Sequence, residues 1–445
     1  MFGRLSVGAF TLLFAFIAQP LQAQPSDVQT LPQKTAQDVA MSLRLLERSA
    51  YRQVDPQTIV DGARSALATY ARQHGDTSPI PAIRDDGDNA HAIDALDGAI
   101  AVAAAASHGD ATAYAYAAIS GMAQTFDDRY TVFMTPDEYR AFNDALDPAR
   151  ISGIGVLVEQ DPGAPYIRIA YVLPNTPADR AGVQQGDLIV AVDGTATKGM
   201  AMDGVRNLLR GKPGTPVRVS VAPSEDAQPR TLTIVRSEVE PPTVVFKMLP
   251  DRIGYVWIIA FGRATPAEFD TAISRLREQG ARALVLDLRN DGGGYVNSAL
   301  DISSHFVGTQ AILTIEERGD RSTTIDADDD GQVNVPTTVL VNAYTASASE
   351  ITAGALQDDG AATLIGTRTF GKGIMQTLTE LPDGAAIKIT TAHYLTPHHR
   401  DINLRGLDPD LSVDENRDAR MGEINHDAQL RAAIAYLQKK IASIR

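Results

Sequence analysis

Ala283-Leu-Val-Leu-Asp-Leu-Arg-Asn-Asp-Gly-Gly-Gly294 is the stretch on which the reading of this chain turns. Ala283–Leu288 is apolar but for one aspartate, the mark of a strand covered on both faces in a parallel sheet. Such strands need crossover helices, and from Val244 the chain supplies them. Strands over Ile253–Ile259, Ala283–Leu288 and Thr337–Val341 alternate with helices over Pro266–Gln279, Val296–Phe306 and Ser349–Gln357. The run closes on glycines, which let main-chain N–H groups approach another group closely. A left-handed turn after a strand would use the same glycines, so the run alone does not define a site.

A second loop has the same placement. Thr345-Ala-Ser347-Ala-Ser349-Glu350 follows the strand Val339-Leu-Val-Asn342 and opens a helix. A serine on a strand-to-helix turn exposes its hydroxyl, and the free amides of the helix start point at a developing oxyanion. The plainer reading makes Ser347 or Ser349 an N-cap, with alanine at the neighbouring positions for tight packing. A nucleophilic serine needs a group to take its proton. His398 and His399 lie in a polar loop and read as solvated. Lys372, in Gly366-Thr-Arg-Thr-Phe-Gly-Lys-Gly373, imitates a phosphate-binding loop, but Gly373 stands where a Ser or Thr would ligate Mg²⁺. A lysine serves as base when burial disfavours its charged form. Gly371 and Gly373 let the backbone tuck it inward, with Phe370 and Met375 as apolar walls.

Together, Asp287–Gly294, Ser347-Ala-Ser-Glu-Ile351 and Thr369-Phe-Gly-Lys-Gly-Ile-Met-Gln376 resemble the tail-specific, or carboxy-terminal processing, serine peptidases of family S41. The likeness runs from about Ala92 to Leu437 and includes Phe126–Pro136 and Asp408-Pro-Asp410. It implies Ser347 as nucleophile, Lys372 as general base and Gln376 as the residue that positions the lysine. It also implies an oxyanion hole from the N–H groups of Gly292 or Gly293 and of Ala348. Asp358 falls where some members carry a supporting acid, or is simply a solvated charge after a helix. Two departures stand out: Thr345 where members often have Ser, and Asp291 where they often have Asn or Pro.

The region Ile151–Arg236 differs in character, with short β-rich runs, glycine turns and one short helix, Met202–Leu209. Ser152-Gly-Ile-Gly-Val156 resembles the carboxylate-binding loop of a PDZ domain, and Pro174–Gly194 is similar to its middle. In that likeness a peptide adds to a sheet edge, while loop amides at Gly153, Ile154, Gly155 and Val156 take its terminal carboxylate. Val205, Leu208 and Leu209 would shape an apolar pocket for the last side chain. The alternative is a module that only packs on the protease and gates it. Glu238-Val-Glu-Pro-Pro242 reads as a linker.

Arg4, the apolar run Val7–Ile17 and Ala23 have the layout of a cleaved export signal, which places the mature chain in the periplasm or otherwise outside the cytoplasm. An exported protein lacks ATP, a second objection to a phosphate loop. The chain has no cysteine, so thiol catalysis, disulfides and cysteine metal sites are excluded. Its formal net charge of −15 argues against nucleic acid as partner. Asp326-Ala-Asp-Asp-Asp-Gly331 starts like a calcium loop, but Pro336 and Thr337 spoil its end, and it reads as an acidic hairpin turn.

The expected organisation is multidomain α/β. It comprises a signal peptide (1–23), a helical region with the start of the protease body (24–150), an inserted PDZ β-sandwich-like module (151–238), an S41 core of ClpP/crotonase-like type (243–415) and a C-terminal helical region (416–445). The expected activity is serine endopeptidase, with no cofactor and no metal. Its partners are protein substrates with apolar C-termini, and the resemblance adds an adaptor or lipoprotein activator and homo-oligomerisation. The rivals are a catalytically silent PDZ scaffold, a protease inactive until an adaptor binds, and a P-loop NTPase.

Overall fold

The computed structural model describes residues 30–85, 87–146, 151–160, 163–328, 333–416 and 421–443. The signal segment and the last half of the acidic turn at 326–331 lie outside them. Two compact units emerge. The first, made of residues 30–43 and Pro56–Met122, is helical: α1 (Gln33–Ser49) begins in it, α2 (Pro56–Gln73) and α3 (Asn89–Ala106) form its body, and α4 (Ala111–Gln124) leaves it. Alanine allows close approach here. A methyl group added at Gly121 of α4 would stand 2.5 Å from both Ala66 Cβ and Gly62 O of α2.

The second unit holds Arg44–Asp55 and everything from Ala123. It begins with β1 (Val132–Met134) and α5 (Pro136–Leu146). A β-rich module follows: β2 (Ile151–Gly153), β3 (Val156–Glu159), β4 (Ile167–Val172), α6 (Pro177–Arg180), β5 (Leu188–Val192), β6 (Thr195–Ala196), α7 (Met202–Leu209), β7 (Pro216–Ala222) and β8 (Arg230–Val235). Its sheet runs β3-β4-β5-β7-β8, and its core is built on Ile167, Ile169, Ile189, Val217 and Val219, all wholly buried. The stretch expected to be a linker is in part a strand. In β9 (Ser237–Val239), Ser237 pairs with Gly153 and Val239 with Ile151, so a two-stranded ribbon ties the module's entry to its exit. The two prolines that suggested a linker lie just beyond it.

A larger α/β body follows. Its elements are β10 (Val244–Leu249), β11 (Ile253–Ile258), α8 (Thr265–Glu278), β12 (Ala283–Asp287), α9 (Val296–Val307), β13 (Ala311–Glu317), β14 (Arg321–Asp326), β15 (Thr337–Val341), α10 (Ala348–Asp359), β16 (Ala362–Gly366), β17 (Ile374–Glu380), β18 (Ala386–Leu395), β19 (Leu411–Ser412) and α11 (Ala428–Ser443). The main sheet has the order β10-β11-β12-β15-β16-β19, parallel from β11 onward. Side chains alternate across it. Val256, Leu284, Leu286, Val339 and Leu364 join α8, α9 and α10 in one core, while Tyr255, Val285, Leu340 and Ile365 meet Leu430, Ala433 and Leu437 of α11 in another. Leu157, Ala170 and Tyr171 of the β-rich module pack into this second core.

A second sheet, β1-β18-β13-β14 with β17 on β18, was not foreseen. Its strands mix threonine and charge with apolar residues, so the alternation is weak in the sequence.

A buried charge cluster borders the second core at Tyr255 and Met421. Arg289 is fully buried; its Nε and Nη2 donate to Asp287 (2.9 and 2.6 Å) and its Nη1 and Nη2 to Asp427 (3.0 and 2.6 Å). Gln429 Oε1 accepts from Nη1 at 3.0 Å, and the Tyr255 hydroxyl donates to Asp287 at 2.8 Å. Arg289→Met should leave two carboxylates buried without a counter-charge and lower unfolding stability by about 3–5 kcal/mol, read by urea denaturation.

Candidate active site

Three consecutive parallel strands, β12, β15 and β16, end at the same sheet edge, where open α/β sheets bind ligands. Each releases one loop. β12 gives Leu288–Gly294, β15 gives Asn342–Ser347, and β16 gives Thr367–Gly373 with Lys372. The loops are bonded to one another: Ala346 N donates to Asp291 O (3.0 Å), Phe370 N to Thr345 O (3.0 Å), and Thr345 Oγ1 to Leu288 O (2.8 Å). Thr345 therefore does structural work at its position through a hydroxyl that Ser would also carry.

Ser347 occupies the N-cap of α10 with φ 59° and ψ −117°, a conformation side-chain-bearing residues rarely adopt. It is partly accessible, while Ala348 behind it is fully buried. Gly293 approaches so closely that a Cβ there would lie 2.8 Å from Ala348 N and 2.9 Å from Ser347 Cβ. The glycine run is thus a close-approach feature and not only a turn. The Gly293 N–H donates to Asp291 Oδ1 at 2.8 Å.

Glu350, one turn into α10 and fully buried, stands out in the sequence only as part of a helix start. Its Oε2 accepts from Ser347 N (3.0 Å) and Lys372 N (2.8 Å); its Oε1 accepts from Gly371 N (2.7 Å) and Thr369 Oγ1 (2.5 Å). One carboxylate holds both loops. Its spacing from Ser347, a capping-box pattern, was the available signal. Tyr394 adds a second tie, its hydroxyl lying 2.6 Å from Lys372 O and 3.1 Å from Ser347 O. Burial raises the Tyr394 pKa well above its ordinary value, so the hydroxyl remains a donor.

The Lys372 Nζ lies over the Tyr130 ring, 4.9 Å from its centroid. Burial lowers its pKa to about 8; the Lys388 ammonium pushes the same way, and Asp128 and Glu350 oppose it. The expected apolar walls are different in kind. Phe370 is 44% exposed, and Met375 packs against the sheet core. Gly371 and Gly373 are needed because the 402–406 loop packs on them. A Cβ at either would meet Gly406 N or Asn403 N at 2.7 Å.

Other expected residues fall elsewhere. Gln376, on β17, donates from Nε2 to Ile374 O (3.3 Å), and among the described residues no hydrogen bond joins it to Lys372 or joins Lys372 Nζ to Ser347 Oγ. Asp358 is bonded to Arg400 and accepts from His398 N (2.8 Å), so it anchors the 396–400 turn. In the β-rich module Gly155 has φ 86°, and a Cβ there would overlap Thr176 at 2.3 Å. Ile154, Val205 and Leu209 are buried in the module's core; Val156 and Leu208 are partly accessible.

A serine at a strained strand-to-helix turn, with glycine amides beside it and a desolvated lysine on the adjoining loop, defines a serine hydrolase. The chain matches the family model for Peptidase family S41 over residues 252–413 and that for a PDZ domain over 168–223. It is 35% identical over 328 residues to a carboxyl-terminal-processing protease of Picosynechococcus sp., covering 73% of this chain and 79% of that one. It is 33% identical over 326 residues to carboxy-terminal processing protease CtpA of Bacillus subtilis, covering 73% and 69%. A solved photosystem II D1 C-terminal processing protease aligns over 86% of this chain and 94% of its own at 29% identity, with a TM-score of 0.48. The chain belongs to the S41 carboxyl-terminal processing proteases, serine proteases that act on protein substrates, and carries their PDZ domain.

Glu350→Gln keeps the shape but turns one acceptor oxygen into a donor amide, which leaves two of the four donors facing an N–H. It should lower kcat/KM at least about 10²-fold through misplacement of the two loops, while circular dichroism stays native.

Proposed function

We propose that this protein is an exported endopeptidase that engages the apolar C-terminus of a protein substrate through its PDZ domain and cleaves it on a Ser347–Lys372 dyad. The observation that carries this reading is the single Glu350 carboxylate bonded to the main chain of both residues. Uncharged Lys372 takes the Ser347 Oγ proton as Oγ attacks the scissile carbonyl carbon. The carbonyl electron pair moves to oxygen, which Ala348 N–H and an N–H of Gly292 or Gly293 stabilise. Collapse breaks the C–N bond, and the Lys372 ammonium protonates the departing amine. Water then attacks the acyl-serine by the same proton route and releases the acid. Gln376 holds the lysine amine on the serine once its bond to Ile374 O is given up.

In the PDZ domain, β3 pairs with β4 along one edge, and the substrate tail adds as a strand on the other. The Gly153–Val156 amides take its carboxylate, and Leu208 receives its last side chain above Val205 and Leu209. A requirement for an activating partner is a second reading, favoured by one observation. Lys372 Nζ rests on the Tyr130 ring, so it must move before reaction.

The test is cleavage of an unstructured protein ending in small apolar residues. Ser347→Ala and Lys372→Ala should each lower the rate at least about 10³-fold. A parent protein that cleaves nothing, with and without candidate activators, or a Ser347→Ala variant that cleaves equally well, overturns the reading. Because the base must be unprotonated, kcat/KM should fall about tenfold per pH unit below the Lys372 pKa of about 8. A flat profile down to pH 5, about three units below that value, would count against a lysine base.

A further inference from the structure

Asp291 has no part in the mechanism above, yet it sits against the oxyanion site. Its side chain is fully buried. Its Oδ1 accepts from Gly293 N at 2.8 Å, and its Oδ2 has no hydrogen-bond partner. Its main-chain oxygen accepts from Ala346 N (3.0 Å) and Ser349 Oγ (3.1 Å), which fixes the residue between the glycine turn and the start of α10. A Cβ on Gly293 would stand 2.8 Å from Ala348 N, so the carboxyl lies one hydrogen bond away from where a substrate oxyanion would form.

The charges on the surrounding elements are engaged elsewhere. At the end of its own strand Asp287 pairs with Arg289, which also pairs with Asp427. In α10, Glu350 accepts from Ser347, Thr369, Gly371 and Lys372. Beyond the loop, Glu415 accepts from Asn342 (3.4 Å), and Lys372 lies over Tyr130. Among the described residues none of these is bonded to the Asp291 carboxyl. An ionised Asp291 would be a buried anion with one amide donor and no counter-charge, and such groups keep their proton.

We propose that Asp291 is a positioning residue of the oxyanion site: uncharged, its carboxyl props the Gly292–Gly293 turn, and on ionising it sets a negative charge against the forming oxyanion and ends catalysis at alkaline pH. This inference rests on the Ser347–Lys372 reading. Burial raises the Asp291 pKa to about 8, against the lowering effects of the Gly293 N–H and Ser349. The lysine must lose its proton while the aspartic acid keeps its own, so activity is confined to a narrow bell.

The test is the rate of Ser347 labelling by a fluorophosphonate probe on the full chain, followed between about pH 6 and pH 10, for parent and Asp291→Asn. The parent should rise and then fall about tenfold per pH unit on the alkaline side. Asp291→Asn, which keeps the acceptor but cannot ionise, should rise to a plateau and exceed the parent by about 10²-fold at the alkaline end. An alkaline fall retained in Asp291→Asn, or slower labelling at every pH, overturns the proposal. Failure of the parent to label at all, or equal labelling of Ser347→Ala, instead removes the dyad and this inference with it. Unfolding provides a second readout. The folded-state pKa is raised, so the parent loses stability relative to Asp291→Asn as pH climbs from 3.8 to about 8. A stability difference that stays constant across that window overturns the proposal.

Discussion

The site depends on one wholly buried carboxylate. Glu350 has four donors around its two oxygens, from the amide of Ser347 and from three groups of the Lys372 loop. Because the group is buried, an unfilled acceptor would be costly, so the donors and acceptors fix one another. The Ser347 and Lys372 loops, carried by neighbouring strands β15 and β16, therefore behave as one rigid element. The unusual φ of Ser347 is held by this arrangement, with the Glu350 oxygen on its amide and the Tyr394 hydroxyl against its carbonyl.

The parallel sheet was legible because Ala283–Leu288 and Thr337–Val341 are apolar on both faces, a pattern with few alternatives. The short helix Met202–Leu209 was legible from its spacing. The second sheet was not, because strands such as Arg321–Asp326 and Ile374–Glu380 carry threonine and charge and are largely accessible, and the alternation that one covered face imposes fades where neither face is well covered. The β9 strand was hidden by the prolines that follow it. Its partner, Gly153, is remote in sequence, and no local pattern reports such pairing.

The candidate site divides along the same line. Ser347, Lys372 and the glycine run were readable from their loops and from the family likeness. Glu350 and Tyr394 were not singled out, since each acts by where its neighbours bring it, and Tyr394 comes from a strand of the unforeseen sheet. The glycines beside Lys372 were read as letting the backbone tuck the lysine inward, and the structure gives them another use: the 402–406 loop packs directly on them. Asp358 was weighed as a supporting acid; its bonds run to Arg400 and His398.

The Arg289 cluster has a consequence for how the molecule is made. Arg289 lies 138 residues ahead of Asp427, and the two are bonded in the finished protein. During synthesis from the N-terminus, every loop of the site is complete while the arginine at its base still lacks one of its two carboxylates. The helix that covers the second core has not yet arrived either. Closing so long a loop is entropically slow, and a strand end with an unbalanced buried charge does not settle early. The glycine turn beyond Arg289 thus rests on a contact that exists only once Asp427 has been made, and a growing chain carries Ser347 and Lys372 before that contact is available.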